Sequence, residues 1–147
     1  MANGVTAARP PAWFWVVAVL LTLWGAQGCW AAYLHWTVGA EAMGPATDYD
    51  RRLFAALPGW YHWDFLIAVV ASLLGGIALL MRSRTARLLF TISLIAVVIQ
   101  FAWVFSTTDL IAVKGAAATL PFPLFITAVA ILSVWFAGYA YRRGWLR

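Results

Sequence analysis

Four side chains with metal-binding or proton-carrying groups lie beside the ends of long apolar stretches. They are His35, His62, Asp64 and Asp109. Imidazole nitrogens and carboxylate oxygens bind zinc and other divalent ions, and histidine carries protons near neutral pH. The step from His62 to Asp64 turns a helix by roughly 200°, so these two side chains would lie on different faces. The four residues therefore form a candidate site with no metal assigned, and ordinary solvated side chains are the alternative.

Four uncharged polar side chains lie within the apolar stretches themselves. They are Gln27, Ser72, Gln100 and Thr127. If the stretches are antiparallel helices, the four fall at a similar depth and form one polar layer. Hydrogen bonding between helices is the interpretation we favour, because polar side chains join helices in lipid. A binding site for a small uncharged polar solute is the alternative.

The motifs of the common catalytic and cofactor sites do not occur in this sequence. It has no Gly-rich phosphate loop, nucleophile elbow or paired metal motif, and Cys29 is its only cysteine. No carboxylate lies near the middle of an apolar stretch, which argues against transport coupled to protons or sodium. We expect a protein that is not an enzyme and that carries no cofactor.

The elements that must position these side chains are four long apolar stretches. They cover residues 13–36, 61–81, 88–106 and 120–141 of a 147-residue chain that is 65% hydrophobic and 10% charged. A helix needs about 20 such residues to cross a hydrocarbon core of about 30 Å, and in lipid it pairs its own backbone groups. The sequence therefore predicts an all-α integral membrane protein, with four spans in a single domain.

Aromatic residues cluster at the ends of these stretches. Those that we assign to the two aromatic belts of a bilayer protein are Trp13, Trp15, Trp30, Tyr33, Trp36, Trp60, Tyr61, Trp63, Tyr139, Tyr141 and Trp145. Tryptophan and tyrosine favour this position because the ring is apolar and its N–H or O–H reaches the headgroups. The belts support the positions of the four spans.

The basic residues are distributed unequally between the two sides of the predicted membrane. One side carries Arg9, Arg82, Arg84, Arg87, Arg142, Arg143 and Arg147, and the other carries Arg51, Arg52 and Lys114. Since basic residues concentrate on the cytoplasmic side, both termini are expected there, with no cleaved signal segment. The net charge of +5 is thus explained by topology, and we expect a lipid bilayer rather than nucleic acid as the partner.

The first outer loop has a helix of its own in the sequence. Thr47 and Asp50 have the spacing of a capping box, and Leu53, Phe54 and Leu57 follow at helical spacing. We predict a short helix that lies on the outer surface with its apolar face in the membrane interface. We expect no such element in the third connection, residues 107–119.

Small residues at helical spacing predict how the spans pack. The stripes are Ala18, Thr22, Gly25, Cys29 and Ala32; Ala68, Ser72 and Gly75; Ser93, Ala96 and Gln100; and Ala130, Ser133, Ala137 and Ala140. Such stripes let helices approach closely in lipid and predict a compact four-helix bundle. Gln27 lies about 200° around the first helix from Gly25 and Cys29, so we expect a second contact face there. That face predicts a homo-oligomer or a partner membrane subunit.

Several short segments resemble one group of bacterial proteins. They are Leu23-Trp24-Gly25, Pro58-Gly59-Trp60, Leu89-Phe90-Thr91-Ile92-Ser93-Leu94 with Val97 and Gln100, and Arg143-Gly144-Trp145-Leu146. In this order the chain is similar, over nearly its whole length, to small four-span bacterial membrane proteins that are often labelled sugar transporters. The resemblance implies the bacterial inner membrane and a transporter of small, sugar-like solutes. An accessory or assembly subunit of a larger membrane complex is the alternative.

The charge asymmetry gives the first testable prediction, which concerns topology. A cytoplasm-dependent fluorescent reporter fused after Arg147 should fluoresce, and a periplasm-dependent phosphatase at the same position should be inactive, because seven arginines lie on that side. Both reporters inserted after Pro45 in the first outer loop serve as the control and should give the opposite pattern. An active phosphatase after Arg147 would reverse the topology.

Overall fold

The computed structural model describes residues 8–147, and in this part of the chain the regular elements are helices. A short 3₁₀ helix, Gly39–Met43, follows the first long helix. The α-helices are α1 (Ala12–Thr37), α2 (Asp48–Ala56), α3 (Gly59–Leu80), α4 (Thr85–Thr107), α5 (Leu110–Lys114), α6 (Ala116–Thr119) and α7 (Pro121–Arg142). The four long helices, α1, α3, α4 and α7, are each long and apolar enough to cross a membrane. The predicted fold, an all-α four-helix membrane bundle, is confirmed.

Local sequence explains where several helices begin. The Thr47 hydroxyl accepts the Asp50 N–H at 3.2 Å and the Asp50 carboxylate accepts the Thr47 N–H at 2.8 Å, so the predicted capping box of α2 is present. Pro58 precedes α3, and Pro121 and Pro123 lie in the first turn of α7, where a missing N–H breaks no helical bond.

The helices pack in the order α1, α3, α4, α7, and small residues make the close contacts. Gly25 of α1 lies against the backbone of Leu73 in α3, and Gly76 of α3 lies against that of Thr22. The Ser93 hydroxyl of α4 donates to the carbonyl of Ala68 in α3 at 2.7 Å. Thr22, Gly25, Ala68 and Ser93 lie on the small-residue stripes that the sequence predicted, whereas Gly76 does not. The predicted Gly75 instead lies against Phe90 of α4, because it is one position, about 100°, from Gly76 on the helix.

The end of the bundle that carries the C-terminus, called the arginine end here, is closed by the tail itself. Arg82 adopts a left-handed conformation with φ of 55°, and its Nε donates to the carbonyl of Trp145 at 2.7 Å. The Arg147 N–H donates to the Arg82 carbonyl at 2.7 Å, and the Arg84 N–H donates to the Arg147 carbonyl at 3.1 Å. The tail is thus held against the α3–α4 turn.

Trp145 corrects one sequence-based assignment. It was assigned to the aromatic belt, but it is only 5% exposed and packs in the core at the arginine end. Its ring lies 5.6 Å from Phe14, and Phe14 in turn lies 5.8 Å from Phe136. The belt assignment was wrong because the chain turns back at Gly144, with φ of 75°, and carries the indole inward.

The opposite end, called the loop end here, contains the first and third connections. The third connection holds the short helices α5 and α6, separated by Gly115 with φ of 85°. The expectation that only the first loop would form helices was therefore wrong. Segments of four and five residues are too short to show the periodicity on which sequence-based prediction relies.

The contact between α1 and α3 generates the second prediction. A Cβ atom at Gly25 would lie 2.5 Å from the Leu73 Cα, so Gly25→Ala must push the two helices apart. We expect the free energy of unfolding to fall by roughly 1–3 kcal/mol, although alanine is the better helix former by up to about 1 kcal/mol. Thermal unfolding in mild detergent measures the change.

Gly59→Ala is the matched control, because nothing lies within 4 Å of a Cβ atom at that position. It should keep or slightly raise the melting temperature. Equal melting temperatures for Gly25→Ala and the parent protein would contradict the close packing.

Candidate functional site

A cavity of about 310 Å³ lies between the four long helices. This inner cavity is lined by five residues of α1, by four each of α3 and α4, by two of α7, and by Met43 from the 3₁₀ helix. Its apolar wall is formed by Trp24, Gly25, Gly28, Ala31, Met43, Phe65, Ala68, Val69, Val97, Phe101, Phe122 and Ile126. Its polar lining consists of Gln27, Ser72, Ser93 and Gln100, and none of the described residues that line it is charged. The cavity is therefore an apolar enclosure with a few hydrogen-bonding groups.

Three of the four residues of the predicted polar layer line this cavity. Gln27 reaches it from α1, Ser72 from α3 and Gln100 from α4. Thr127 is not part of the lining, and its hydroxyl donates to the carbonyl of Pro123 in its own helix at 2.8 Å. The first three residues lie at a similar depth and face the same cavity. Thr127 directly follows Ile126, which lines the cavity, so its side chain points about 100° away from the cavity around α7.

Gln100 is oriented by a residue that the sequence analysis assigned elsewhere. Its Nε2 donates to the Tyr61 hydroxyl at 3.3 Å, and Tyr61 is only 8% exposed. Tyr61 was assigned to the aromatic belt, which is wrong, since its side chain is buried against α4 with its ring 5.6 Å from that of Trp103. The signal was present in the sequence: Tyr61 stands seven residues before Ala68 and fourteen before Gly75, on the packing stripe of its helix.

A second, more open cavity of about 330 Å³ adjoins the first at the loop end. Met43, Gln100 and Phe101 line both cavities, so the two share a boundary. This vestibule is covered by α2, whose residues Leu53 and Phe54 line it together with the following Leu57. The apolar face of α2 was predicted to lie in the membrane interface, but it faces the protein. The bundle leaves a space at this end, and the apolar face of α2 covers it.

Polar contacts attach α2 to both neighbouring segments. Arg51 donates to Oε1 of Glu41, on the 3₁₀ helix, through Nη2 at 2.7 Å and Nε at 3.0 Å. Asp50 forms an ion pair with Lys114, the last residue of α5. The Tyr49 hydroxyl donates to Oδ1 of Asp109 at 2.7 Å. The helix α2, called the cover here, is thus held from two sides by side chains that are accessible to water.

The ion pair with Lys114 changes the titration of Asp50. The hydrogen bond from the Lys114 ammonium, helped by the Thr47 N–H and hydroxyl, lowers the pKa of Asp50 from 3.8 to about 2. Because the pKa is lowered in the folded protein, these contacts stabilise the fold above about pH 4. Their contribution is lost as the pH falls from about 4 to 2.

The predicted site of His35, His62, Asp64 and Asp109 is only partly assembled. His35 Nε2 and His62 Nδ1 are 2.8 Å apart, and the rings of Phe54 and Phe65 lie 4.9 and 5.1 Å from that of His35. Asp109 instead binds Tyr49.

Asp64 Oδ2 is buried and has no hydrogen-bond partner among the described residues. Within residues 8–147, no three His, Cys, Asp or Glu side chains are placed to hold a metal ion. The two histidines therefore form a hydrogen-bonded pair beside the vestibule.

The third prediction concerns the cover. A spin label on Ala55→Cys, in a Cys29→Ser background, should become more mobile as the pH falls from about 4 to 2, because Asp50 then loses its charge. In Lys114→Met the label should already be mobile at pH 7. Electron paramagnetic resonance line shapes measure this mobility.

Arg52→Met is the matched control, since it removes a cation of the same helix that has no ion pair among the described residues. It should leave the line shape unchanged. A label that stays immobile in Lys114→Met would show that the ion pair does not hold α2.

Comparison with known proteins adds no family to this geometry. No protein-family model, curated protein or solved structure matches the chain. The resemblance to small four-span bacterial proteins therefore stays a prediction, and arguments about function rest on the inner cavity, the vestibule and the cover.

Proposed function

We propose that this protein is a membrane protein that binds a small uncharged molecule in its inner cavity and takes part in moving it across the bilayer. The observation that carries the proposal is the cavity itself, which all four long helices line and whose volume of about 310 Å³ falls in the range of ligand sites. Gln27, Ser72 and Gln100 supply amide and hydroxyl groups inside it. They would orient the ligand, and the apolar wall would supply most of the contact area.

The lining limits the chemistry of the ligand. An ion would lose its hydration without meeting a countercharge, which is costly in an apolar enclosure. A sugar carries many hydroxyl groups, and the four polar side chains of the lining would leave most of them unpaired at about 1–3 kcal/mol each. The wall therefore favours a mostly apolar molecule with one or two polar groups over the sugar that the resemblance implies.

The two ends of the bundle differ in a way that suggests a direction. The inner cavity and the vestibule lie in the half of the bundle nearer the loop end, whereas Phe14, Phe136 and Trp145 fill the arginine end. The positive-inside bias supports placing the loop end at the outer face. The described conformation would then be the one that loads from outside, and release to the cytoplasm would require the aromatic core to open. No charged group lines the cavity among the described residues, so the movement would follow the concentration gradient.

A second candidate is an accessory subunit of a larger membrane complex. Gln27 is exposed although it lies in the middle of α1. An amide that faces lipid loses hydrogen bonds that it makes in water, and a partner helix with a polar group would restore them. This observation keeps the accessory function as the competing proposal.

The fourth prediction tests ligand binding. Gln100→Leu keeps the volume of the side chain but removes its hydrogen bonds, so the affinity for a bound neutral compound should fall about tenfold. The compound is found by thermal-shift screening of neutral amphiphiles and sugars against the protein in nanodiscs. Its Kd is then measured by equilibrium dialysis.

Thr127→Val is the matched control, because Thr127 lies at similar depth but outside the cavity lining. It should bind like the parent protein. If no neutral compound binds, and the protein copurifies stoichiometrically with another membrane subunit that Gln27→Leu releases, the accessory function is supported instead.

A further inference from the structure

The side of the bundle between α1 and α7 differs from the other three sides. Close helix packing runs from α1 through α3 and α4 to α7, and α1 meets α7 through long aromatic side chains. Near the arginine end Phe14 packs on Phe136, and further towards the loop end the rings of Trp24 and Phe125 lie 5.5 Å apart at 79°. Bridges of this length keep the backbones of the two helices apart.

The inner cavity reaches the surface of the protein on this side. Gln27 follows Trp24 by almost one turn of α1, and Phe122 precedes Phe125 by almost one turn of α7, so both lie on the loop-end side of that aromatic bridge. Both line the cavity, yet Gln27 is exposed and Phe122 is 55% exposed. Residues that line a cavity and are also exposed mark its mouth. Met43, which is 80% exposed, lines both this cavity and the vestibule and lies where the two adjoin.

The depth of this mouth places it in the half of the membrane nearer the loop end. Gln27 stands ten residues before Thr37, the end of α1, which corresponds to about 15 Å along the helix. Phe122, on the other side of the mouth, is the second residue of α7, so the mouth extends from the first turn of α7 towards the middle of α1. In a hydrocarbon core of about 30 Å this range corresponds to the leaflet at the loop end. The vestibule is the separate route that opens to water at the loop end.

We propose that the inner cavity takes its ligand sideways from the bilayer, between α1 and α7, and that this ligand is a neutral amphiphile with one hydrogen-bonding head and an apolar tail. This inference rests on the proposed ligand-binding function and deepens it. The head would bind Gln27, Ser72 or Gln100, and the tail would contact residues such as Phe65 and Ile126. A charged head is excluded by the same desolvation cost that excludes ions.

The cavity volume agrees with this class of ligand. At about 30 Å³ for each water-sized group, 310 Å³ holds about ten such groups. A longer tail would extend through the mouth into the bilayer, where its outer part stays in contact with lipid chains. A closed cavity of this size would reject such a molecule, whereas a lateral mouth admits it.

The test follows a long-chain alcohol that bears a photoreactive diazirine, in nanodiscs containing the full chain. Illumination and peptide mass spectrometry should place the label on cavity residues of α1, α3 and α4. Its exchange is followed by adding excess unlabelled alcohol before illumination. Phe122→Ala widens the mouth, so association and dissociation should both accelerate about tenfold while the Kd changes little.

Two tryptophan substitutions separate the lateral route from the vestibule. Gln27→Trp should narrow the mouth and slow exchange about tenfold, whereas Ala42→Trp, in the vestibule, should leave exchange unchanged. Leu132→Trp, on the exposed surface of α7 away from the cavity, controls for a bulky ring in the lipid-facing surface. Melting temperatures identify any variant that fails to fold. If Gln27→Trp fails to fold, the exchange rate of Phe122→Ala decides whether the lateral route is used.

The outcomes distinguish this inference from the proposed function. One outcome is that Ala42→Trp slows exchange of the alcohol while Phe122→Ala and Gln27→Trp leave it unchanged. This result would overturn the lateral route but keep the ligand-binding function. A label confined to lipid-facing residues, with no neutral compound bound in the dialysis assay, would overturn both. A water-soluble sugar that binds while the alcohol does not would overturn the amphiphile and keep the cavity as a binding site.

Discussion

The close approach of α1 to α3 is the constraint on which the rest of this structure depends. Lipid chains are as apolar as the helices, so burial of apolar surface does not drive the contact, and dispersion between closely packed atoms must do so. Gly25 and Gly76 permit this approach because a Cβ atom at either position would overlap the backbone of the other helix. With the Ser93 hydroxyl bonded to Ala68, α4 is held on the other side of α3. The positions of three helices are thereby determined.

The inner cavity exists because α7 is packed less closely against α1 than the other helices are against one another. Small residues bring α1, α3 and α4 together, but α7 meets α1 through pairs of large rings such as Trp24 and Phe125. Backbones separated by two aromatic side chains cannot close the space beside Gly28 and Ser72, which line the cavity. At the arginine end the same space is filled by Phe14 and Trp145. The bundle is therefore packed at one end and open in the half nearer the loops.

The loop end uses a different kind of interaction from the rest of the bundle. Ion pairs and hydrogen bonds attach α2 to the 3₁₀ helix and to the third connection, where water is present and each contact is individually weak. The apolar residues of α2 meanwhile cover the vestibule rather than lipid. The helix α2 is therefore positioned over the vestibule mainly by polar contacts, with little apolar packing.

The sequence by itself determined the four spans, the capping box of α2 and most of the small-residue stripes. Each of these depends on periodicity or composition within one segment, which the order of residues contains. Only the tertiary structure decided that Trp145 and Tyr61 are interior, that Asp109 binds Tyr49 rather than the histidines, and that Gln27 lines the inner cavity although it is exposed. These facts depend on how far apart two helices lie and where a loop folds back, and that is set by contacts between residues distant in the chain.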